Sequence, residues 1–205
     1  MVQNEETQAN TGIVILAAGA STRMGQPKQL LRIGTESLLQ RVIRIALSTP
    51  FRPVVVVLGA NQEKIEPELA GLEVQLVYNP HWSTGMGSSI ATGVNHLQHL
   101  AKNSQAVLIL VGDQPLLNRA HLLALQERKN QGHSPMVVSR YSATSGVPAL
   151  FDQSLFGELI ELDGAQGAKP LIQKYLDQAS VVDFEEGVLD IDTPEEWAAF
   201  LNQNG

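Results

Sequence analysis

The sequence predicts an α/β protein with a three-layer, doubly wound and mostly parallel sheet. Two observations carry this prediction. Short apolar runs, typical of buried strands, alternate along the 205 residues with segments whose apolar positions recur at helical spacing. Glycine or polar residues follow the early strand-like runs, as expected where a parallel sheet opens toward a ligand. Such alternation indicates strands joined by crossover helices.

The first half of the chain supplies three predicted strands and three predicted helices. The strands contain the runs Ile13–Ile15, Pro53–Leu58 and Val74–Val77. A first helix buries one face, formed by Leu38, Leu39, Val42, Ile43 and Ala46. Asn61 is expected to cap a second helix that runs to about Ala70, and a third spans Gly85–Leu100 despite internal glycines.

The second half predicts three more strands and four more helices. Ala106–Val111, Met136–Ser139 and Val147–Phe151 are the strand candidates. The helix candidates are Asn118–Asn130, Gln153–Glu161, Ala168–Leu176 and a last one that starts at Pro194. Residues 1–11 are polar and predict a disordered tail, and residues 12–205 predict a single domain.

Composition excludes several functional classes. The net charge of −7 and the lack of a basic stripe argue against nucleic-acid binding. The chain has no cysteine, which excludes disulfides and cysteine-based metal sites. No signal-like or long apolar segment is present, so we expect a cytoplasmic protein without a membrane anchor.

The segment Leu16–Lys28 (LAAGASTRMGQPK) is the main functional signal. It directly follows the first strand and combines small residues and glycines with two cations, Arg23 and Lys28. Small residues let backbone N–H groups approach an anion, and the cations add charge suited to a triphosphate. Neither the P-loop nor the dinucleotide-binding fingerprint fits this spacing. The alternative is an ordinary strand-to-helix turn with two surface cations.

Two acidic segments predict a divalent-metal site. Asp113 follows the apolar run 107–111, at the mouth of the predicted site, and Asp192 lies in the segment DIDTPEE. Mg²⁺ takes oxygen ligands and typically uses one or two carboxylates together with substrate phosphates. For Asp113 the alternative role is turn formation before Pro115. For Asp192 it is capping of the last helix by Asp192 or Thr193, with Asp190 structural.

A further segment, Asn79–Ile90 (NPHWSTGMGSSI), contains residue types that can bind a ligand with a flat ring. Its glycine-rich helix start and serines present N–H and hydroxyl groups. Trp82 could stack on a ring system or be partly buried in the core, and the sequence does not separate these roles. His81 is expected to be an exposed loop histidine.

Together these segments resemble the MobA-like nucleotidyltransferases, with similarity from about Gly12 to Phe200. The first matches the family pattern Leu-Ala-(Ala/Gly)-Gly-x-Ser-x-Arg-Met-Gly-x-x-Lys. Within the family, the segment from Asn79 is similar to that of the molybdenum cofactor cytidylyltransferases and their purine-catabolism relatives. The resemblance implies a nucleotide-diphospho-sugar transferase-like, Rossmann-type fold and transfer of CMP from CTP to molybdenum-bound molybdopterin, with Mg²⁺ as cofactor and Mn²⁺ as a substitute. It also implies an apo-molybdenum hydroxylase as a partner.

The resemblance also implies roles for individual residues. Lys28 would stabilise charge on the α-phosphate, and Arg23 would hold the β- and γ-phosphates. Asp113 and Asp192 would place the metal ion. Trp82, Gly146 and Pro148 would contact the acceptor. The expected nucleotide-binding residues are Leu16, Ala17, Ala18, Gly19, Arg23, Lys28, Gly85, Ser88 and Asp113.

Departures from the family pattern concern the acceptor. Val147 stands where many relatives carry His, Ala165 replaces an acidic residue, and Lys169 replaces Arg. Three alternatives therefore stay open: a guanylyltransferase on the same acceptor, a sugar-phosphate nucleotidyltransferase, and a non-catalytic nucleotide-dependent maturation factor. The sequence Leu-Ala-Ala-Gly favours the cytidylyl branch, because the guanylyl branch more often has Leu-Ala-Gly-Gly.

Overall fold

A seven-stranded, mostly parallel sheet forms the centre of the molecule, as the sequence predicts. The computed structural model describes residues 10–142, 144–188 and 191–204. The sheet strands are β1 (Thr11–Ala17), β4 (Val54–Leu58), β5 (Gln75–Tyr78), β6 (Ala106–Val111), β7 (Met136–Tyr141), β8 (Thr144–Asp152) and β9 (Ser180–Asp183). A separate hairpin consists of β2 (Arg32–Ile33) and β3 (Glu36–Ser37).

The described residues form seven α-helices, six of them between strands and the last after the final strand. They are α1 (Leu38–Leu47), α2 (Gln62–Ile65), α3 (Met86–Leu100), α4 (Arg119–Asn130), α5 (Phe156–Ile160), α6 (Lys169–Lys174) and α7 (Pro194–Asn204). Within the described ranges, no helix combines the length and the apolar character needed to span a membrane.

The strand order is β5-β4-β1-β6-β8-β7-β9. Strand β1 pairs in parallel with β4 and β6, whereas β8 runs antiparallel to β6 and β7. Helices cover both faces and create two cores, one against α1 and α4 and the other against α3, α5 and α6. The carboxyl ends of β1, β4, β5 and β6 consequently share one edge, where open α/β sheets bind ligands.

Close helix–sheet packing explains the glycine inside α3. A Cβ built on Gly93 would lie 2.8 Å from Val57 Cγ2 and would also overlap Val14. Glycine costs about 1 kcal/mol relative to alanine inside a helix. Here it lets the helix backbone approach β1 and β4, so the helix predicted over this region forms in spite of that cost.

Several element boundaries differ from the predictions. Thr11, assigned to the tail, begins β1 and is buried, while residues 1–9 lie outside the described residues. The helix expected over 61–70 is only α2 followed by a 3₁₀ turn, Glu66–Leu69, because Pro67 interrupts the α-helical hydrogen bonds. Asn61 makes no side-chain capping bond. Strand β9 and the β2–β3 hairpin are additions to the predicted elements.

Candidate active site

A cavity of about 420 Å³ opens at the carboxyl edge of the sheet. Its wall is formed by the loop after β1, the start of α3 and the ends of β1 and β6. Ala165 and Asp192, from two later segments of the chain, complete it. The lining residues are Leu16, Ala18–Arg23, Lys28, Gln29, Trp82, Ser83, Gly85, Met86, Ser89, Val111, Asp113, Ala165 and Asp192.

The loop from Ala18 to Lys28, called the phosphate loop below, is folded back on itself. Ser21 and Gly25 both adopt left-handed backbone conformations, with φ of 52° and 68°, on either side of a short 3₁₀ turn. The Lys28 backbone N–H donates to Ser21 Oγ at 3.0 Å, which closes the loop at its base. Pro27 precedes a second 3₁₀ turn, Lys28–Leu30, so two short turns rather than one long helix follow β1.

Three charged side chains meet inside the cavity. Lys28 Nζ and an Arg23 guanidinium nitrogen each form an ion pair with the Asp192 carboxylate, one on each oxygen. Lys28 is 9% exposed, whereas the Arg23 side chain is 69% exposed. The Lys28 ammonium, with burial opposing it and Arg23 assisting, holds the pKa of the Asp192 carboxyl below its ordinary value. The cluster thus joins a buried cation, an exposed cation and a carboxylate 164 residues from Lys28.

The cap of α7 is made by residues next to Asp192 rather than by its side chain. Glu196 accepts hydrogen bonds from the backbone N–H groups of Asp192 and Thr193 at 2.7 and 2.9 Å, and these bonds lower the pKa of Glu196. The Glu196 N–H in turn donates to Thr193 Oγ1 at 3.3 Å. This arrangement is a capping box. Because Thr193 and Glu196 fill the capping roles, the Asp192 carboxylate is turned toward the cations. Asp190 lies outside the described residues.

Asp113 approaches the cavity from the end of β6. The preceding Gly112 N–H donates to the Leu16 carbonyl at 2.9 Å, which fixes the Asp113 turn against β1. Asp113 and Asp192 line the same cavity. Two carboxylates are a donor set that suits Mg²⁺ or Mn²⁺ when substrate phosphates complete the shell. In the described residues, no cluster of three or more His, Cys, Asp or Glu side chains forms a metal site without such help.

The start of α3 and the turn before it form one end of the cavity, where the sequence predicts ligand-binding groups. Trp82 lines the cavity and also packs against the core beside α3, so its partial burial is observed, whereas stacking on a ligand ring stays a prediction. The Gly87 N–H donates to the Gly164 carbonyl at 3.0 Å, so that N–H is satisfied by the chain itself. A Cβ on Gly85 or Gly87 would overlap the backbone of Asp163–Ala165, and glycine is required for this approach. It brings Ala165 to the cavity wall.

Four expected ligand-binding residues lie away from the cavity wall. Ser88 Oγ is engaged within the chain, where it accepts from Asn79 at 2.9 Å and faces the carbonyls of His81 and Gly85. Ala17 packs in the core on the α1 side. Gly146 and Pro148 lie on β8, where the pairing with β7 is irregular, and neither reaches the cavity. Ser89, rather than Ser88, faces the cavity.

A family model described as a MobA-like NTP transferase domain matches residues 13–179. The chain belongs to this family. The family model spans most of the chain and confirms the predicted family resemblance, and the fold is that of the nucleotidyltransferases.

Two proteins similar to this chain match it over most of its length, and a third matches about half of it. Purine catabolism protein PucB of Bacillus subtilis (strain 168) is 30% identical over 195 residues, or 90% of this chain and 92% of that protein. The solved structure of a Mycobacterium tuberculosis Rv0371c homologue, from Mycobacterium sp. strain JC1, has a TM-score of 0.79 at 27% identity, covering 95% of this chain and 96% of that one. Nicotine blue oxidoreductase of Paenarthrobacter nicotinovorans is 37% identical over 107 residues, about half of each chain.

Some residues of the cavity lie outside the MobA-like match or lack a strong signal in the sequence. The match ends at residue 179, so Asp192 and α7 lie beyond it, although Asp192 completes the charged cluster. Gln29 and Ser89 line the cavity although neither is among the expected site residues, and Ala165 lines it as one of the departures from the family pattern that concern the acceptor. Gln29 carries no charge signal, but its position next to Lys28 in a 3₁₀ turn could have indicated it.

Proposed function

We propose that this chain transfers CMP from CTP to the terminal phosphate of a molybdopterin-type acceptor and releases pyrophosphate, with Mg²⁺ or Mn²⁺ as cofactor. The carrying observation is the meeting of Lys28, Arg23 and Asp192 in one cavity with Asp113, at the edge of a nucleotidyltransferase sheet. Nucleotidyl transfer requires cations and amides that bind the phosphates. It also requires carboxylates that hold a metal ion, and this cavity has two.

The transfer needs positioning more than a protein nucleophile. An oxygen of the acceptor phosphate forms a bond to the α-phosphorus, the bond from that phosphorus to the bridging oxygen breaks, and pyrophosphate leaves with the electron pair. Lys28, buried beside this site, would stabilise the charge that develops around the α-phosphate. Arg23, exposed at the cavity mouth, would hold the departing phosphates.

Asp113 and Asp192 would hold the metal ion. A carboxylate offers about four lone-pair positions, so Asp192 can bind Lys28 and Arg23 and still donate to a cation. When bound, a divalent ion neutralises phosphate charge and orients the phosphates. The ion pairs with Asp192 keep both cations inside the cavity, so the groups that meet the triphosphate are already in place.

The preference for CTP is supported by the wall around Ala18. A Cβ built on Gly59 would lie 2.7 Å from the Cβ atoms of both Ala18 and Trp82, so these two side chains face each other closely across Gly59. Ala18 lines the cavity at the position where the guanylyl branch more often has glycine. The MobA-like sequence from Asn79, and a relative named for purine catabolism, support the cytidylyl branch.

A pyrophosphate-release assay with each of the four nucleoside triphosphates tests the proposal. Purified protein, Mg²⁺ and molybdopterin should release pyrophosphate with CTP in preference to GTP, and chelation of the metal should stop the reaction. Ala18→Gly should raise the ratio of kcat/KM for GTP over CTP by about tenfold, because one methyl in a pocket typically contributes that much discrimination. A wild-type preference for GTP would refute the cytidylyl assignment. CTP binding without turnover on any acceptor would favour a maturation factor.

A further inference from the structure

Gln29 is a buried amide at the cavity wall that binds three groups of the phosphate loop. It is 5% exposed, and its Nε2 donates to the backbone carbonyls of Ala17 and Gly19, each at 3.2 Å. Its Oε1 accepts from Ser21 Oγ at 3.4 Å. The two carbonyl partners fix the orientation of the amide, because only the NH₂ end can donate to both.

These bonds control the direction of the loop peptides. In a trans peptide the carbonyl and the following N–H point in opposite directions. Drawing the Gly19 carbonyl toward Gln29 therefore turns the Ala20 N–H away from Gln29. Ala20 lines the cavity, where an N–H can bind an anion and a carbonyl oxygen would repel it.

Ser21 connects this brace to Lys28. Its hydroxyl donates to Gln29 and accepts from the Lys28 backbone N–H, while its own backbone is held in the left-handed region. Left-handed serine is uncommon and persists where surrounding bonds impose it. The side chains of Ser21 and Gln29 consequently close the loop from Ser21 to Lys28. This closure fixes the position of the Lys28 backbone.

We propose that Gln29 is a positioning residue for the phosphate loop. Its amide withdraws two carbonyl oxygens from the phosphate path and, through Ser21, sets the backbone at Lys28. It acts through the loop rather than on the reacting atoms. The positioning role rests on the proposed function for the identity of the nucleotide. The geometry of the phosphate loop does not depend on which nucleotide binds.

Gln29→Met removes the hydrogen bonds at similar size, and Gln29→Glu keeps the shape but replaces the donor with a charge that repels both carbonyls. We expect kcat/KM for the nucleotide to fall about 10- to 100-fold in Gln29→Met and further in Gln29→Glu, because small misplacement of a reacting group has effects of this size. The KM of the acceptor should not change.

Gln126→Met is the matched control. Gln126 is a second buried glutamine, in α4, where it accepts from Thr11 Oγ1 at 2.7 Å and donates to Asn130 at 2.9 Å. It lies away from the cavity. Its substitution should lower the melting temperature while kcat/KM for the nucleotide stays at the wild-type value, which separates loop positioning from a general loss of stability.

Hydrogen exchange measured by mass spectrometry gives a readout that does not depend on activity. Gln29→Met should speed amide exchange in a peptide covering residues 17–25, and the Gln126→Met variant should not. Unchanged exchange in that peptide, or wild-type kcat/KM in both Gln29 variants, would overturn the positioning role. A wild-type protein that turns over no nucleotide would refute the proposed function instead, and the exchange comparison would still decide the role of Gln29.

Discussion

Lys28 shows how burial and charge combine at the scale of a residue. A cation that is 9% exposed needs a partner, and Asp192 supplies it. Lys28, Arg23 and Asp113 are visible in the sequence as charged residues after strand-like runs, whereas Asp192 is indicated by the resemblance of its segment to that of the family. The sequence could not predict that Lys28 and Arg23 both pair with Asp192, since only the folded chain brings residue 192 beside the loop.

Lys28→Ala is expected to lower kcat by about 10²- to 10³-fold, with a smaller change in KM for the nucleotide. Removing one preorganised group that stabilises developing charge typically has this effect. Steady-state kinetics of pyrophosphate release measure it. Lys102→Ala, an exposed lysine beyond the end of α3, is the control and should behave as wild type. If KM alone rises in Lys28→Ala, the lysine only binds the ground state.

Asp192→Asn is expected to abolish metal-dependent turnover, and any fall in the melting temperature should come from the lost ion pairs with Lys28 and Arg23, not from the cap of α7. The carboxylate loses the charge that a hard cation needs, whereas Thr193 and Glu196 still cap α7. Thr193→Ala should show the opposite pattern, a loss of about 1 kcal/mol in the free energy of unfolding with metal dependence retained. Near-normal activity in Asp192→Asn would leave Asp113 as the only one of the two carboxylates that binds metal.

At the scale of elements, α4 is tied to β7 and β8 through His121. The Ser139 hydroxyl donates to the Pro148 carbonyl and therefore accepts from His121 Nε2, at 2.7 Å. The imidazole stacks on Phe184, with ring centroids 4.1 Å apart. The Tyr141 hydroxyl, whose pKa burial raises to about 12, donates to the Val147 carbonyl at 2.5 Å. These bonds hold the irregular part of β8 in place.

Element prediction succeeded where local pattern decides and failed where distant partners decide. Strands such as β1, β4 and β6 are continuous apolar runs, and their pairing follows from their burial on both faces. Strand β9 has a weak pattern of its own and forms because β7 provides an edge for it. The position of Gly146 and Pro148 outside the cavity likewise depends on the β7–β8 irregularity, which has no local signal.

The His121 network predicts a specific loss of stability in acid. Burial lowers the pKa of His121 from 6.5 to about 4, so the unfolded chain binds a proton at a pH where the folded protein does not. Stability is therefore full above about pH 6.5 and declines as the pH falls toward 4. Between pH 7 and pH 5 this group should remove about 2 kcal/mol from the free energy of unfolding.

Denaturant unfolding at the two pH values measures that loss, with His121→Gln as the comparison. Glutamine keeps an N–H donor for Ser139 but does not titrate. The variant is expected to be less stable at pH 7, because it loses the stacking on Phe184, and to lose less stability than wild type on going to pH 5. Equal losses in the two proteins would show that His121 is not the group that titrates.

At the scale of the whole molecule, α7 and the residues before it meet the phosphate loop beside the cavity. Trp197 of α7 packs against a small apolar cluster that contains Met24 of the phosphate loop together with Leu31 and Leu38. The same helix presents Asp192 at its start. The last helix and the residues before it thus contact the region of the phosphate loop twice, through the packing of Trp197 on the cluster that contains Met24 and through the ion pairs of Asp192 with Lys28 and Arg23, although they lie beyond the matched family domain.

Trp197→Ala should therefore weaken the site more than it weakens the fold. The side chain is half-buried on the surface of the sheet domain, so its removal should lower the free energy of unfolding by about 1 to 3 kcal/mol. Loss of the contact with Met24 frees the phosphate loop and the start of α7 together, so the nucleotide KM should rise and kcat should fall. Leu176→Ala, an exposed apolar residue away from the cavity, is the control for surface truncation. Denaturant unfolding and pyrophosphate-release kinetics on the three proteins decide the matter: a stability loss in Trp197→Ala with wild-type kinetics would mean that α7 only covers the domain and does not hold the loop.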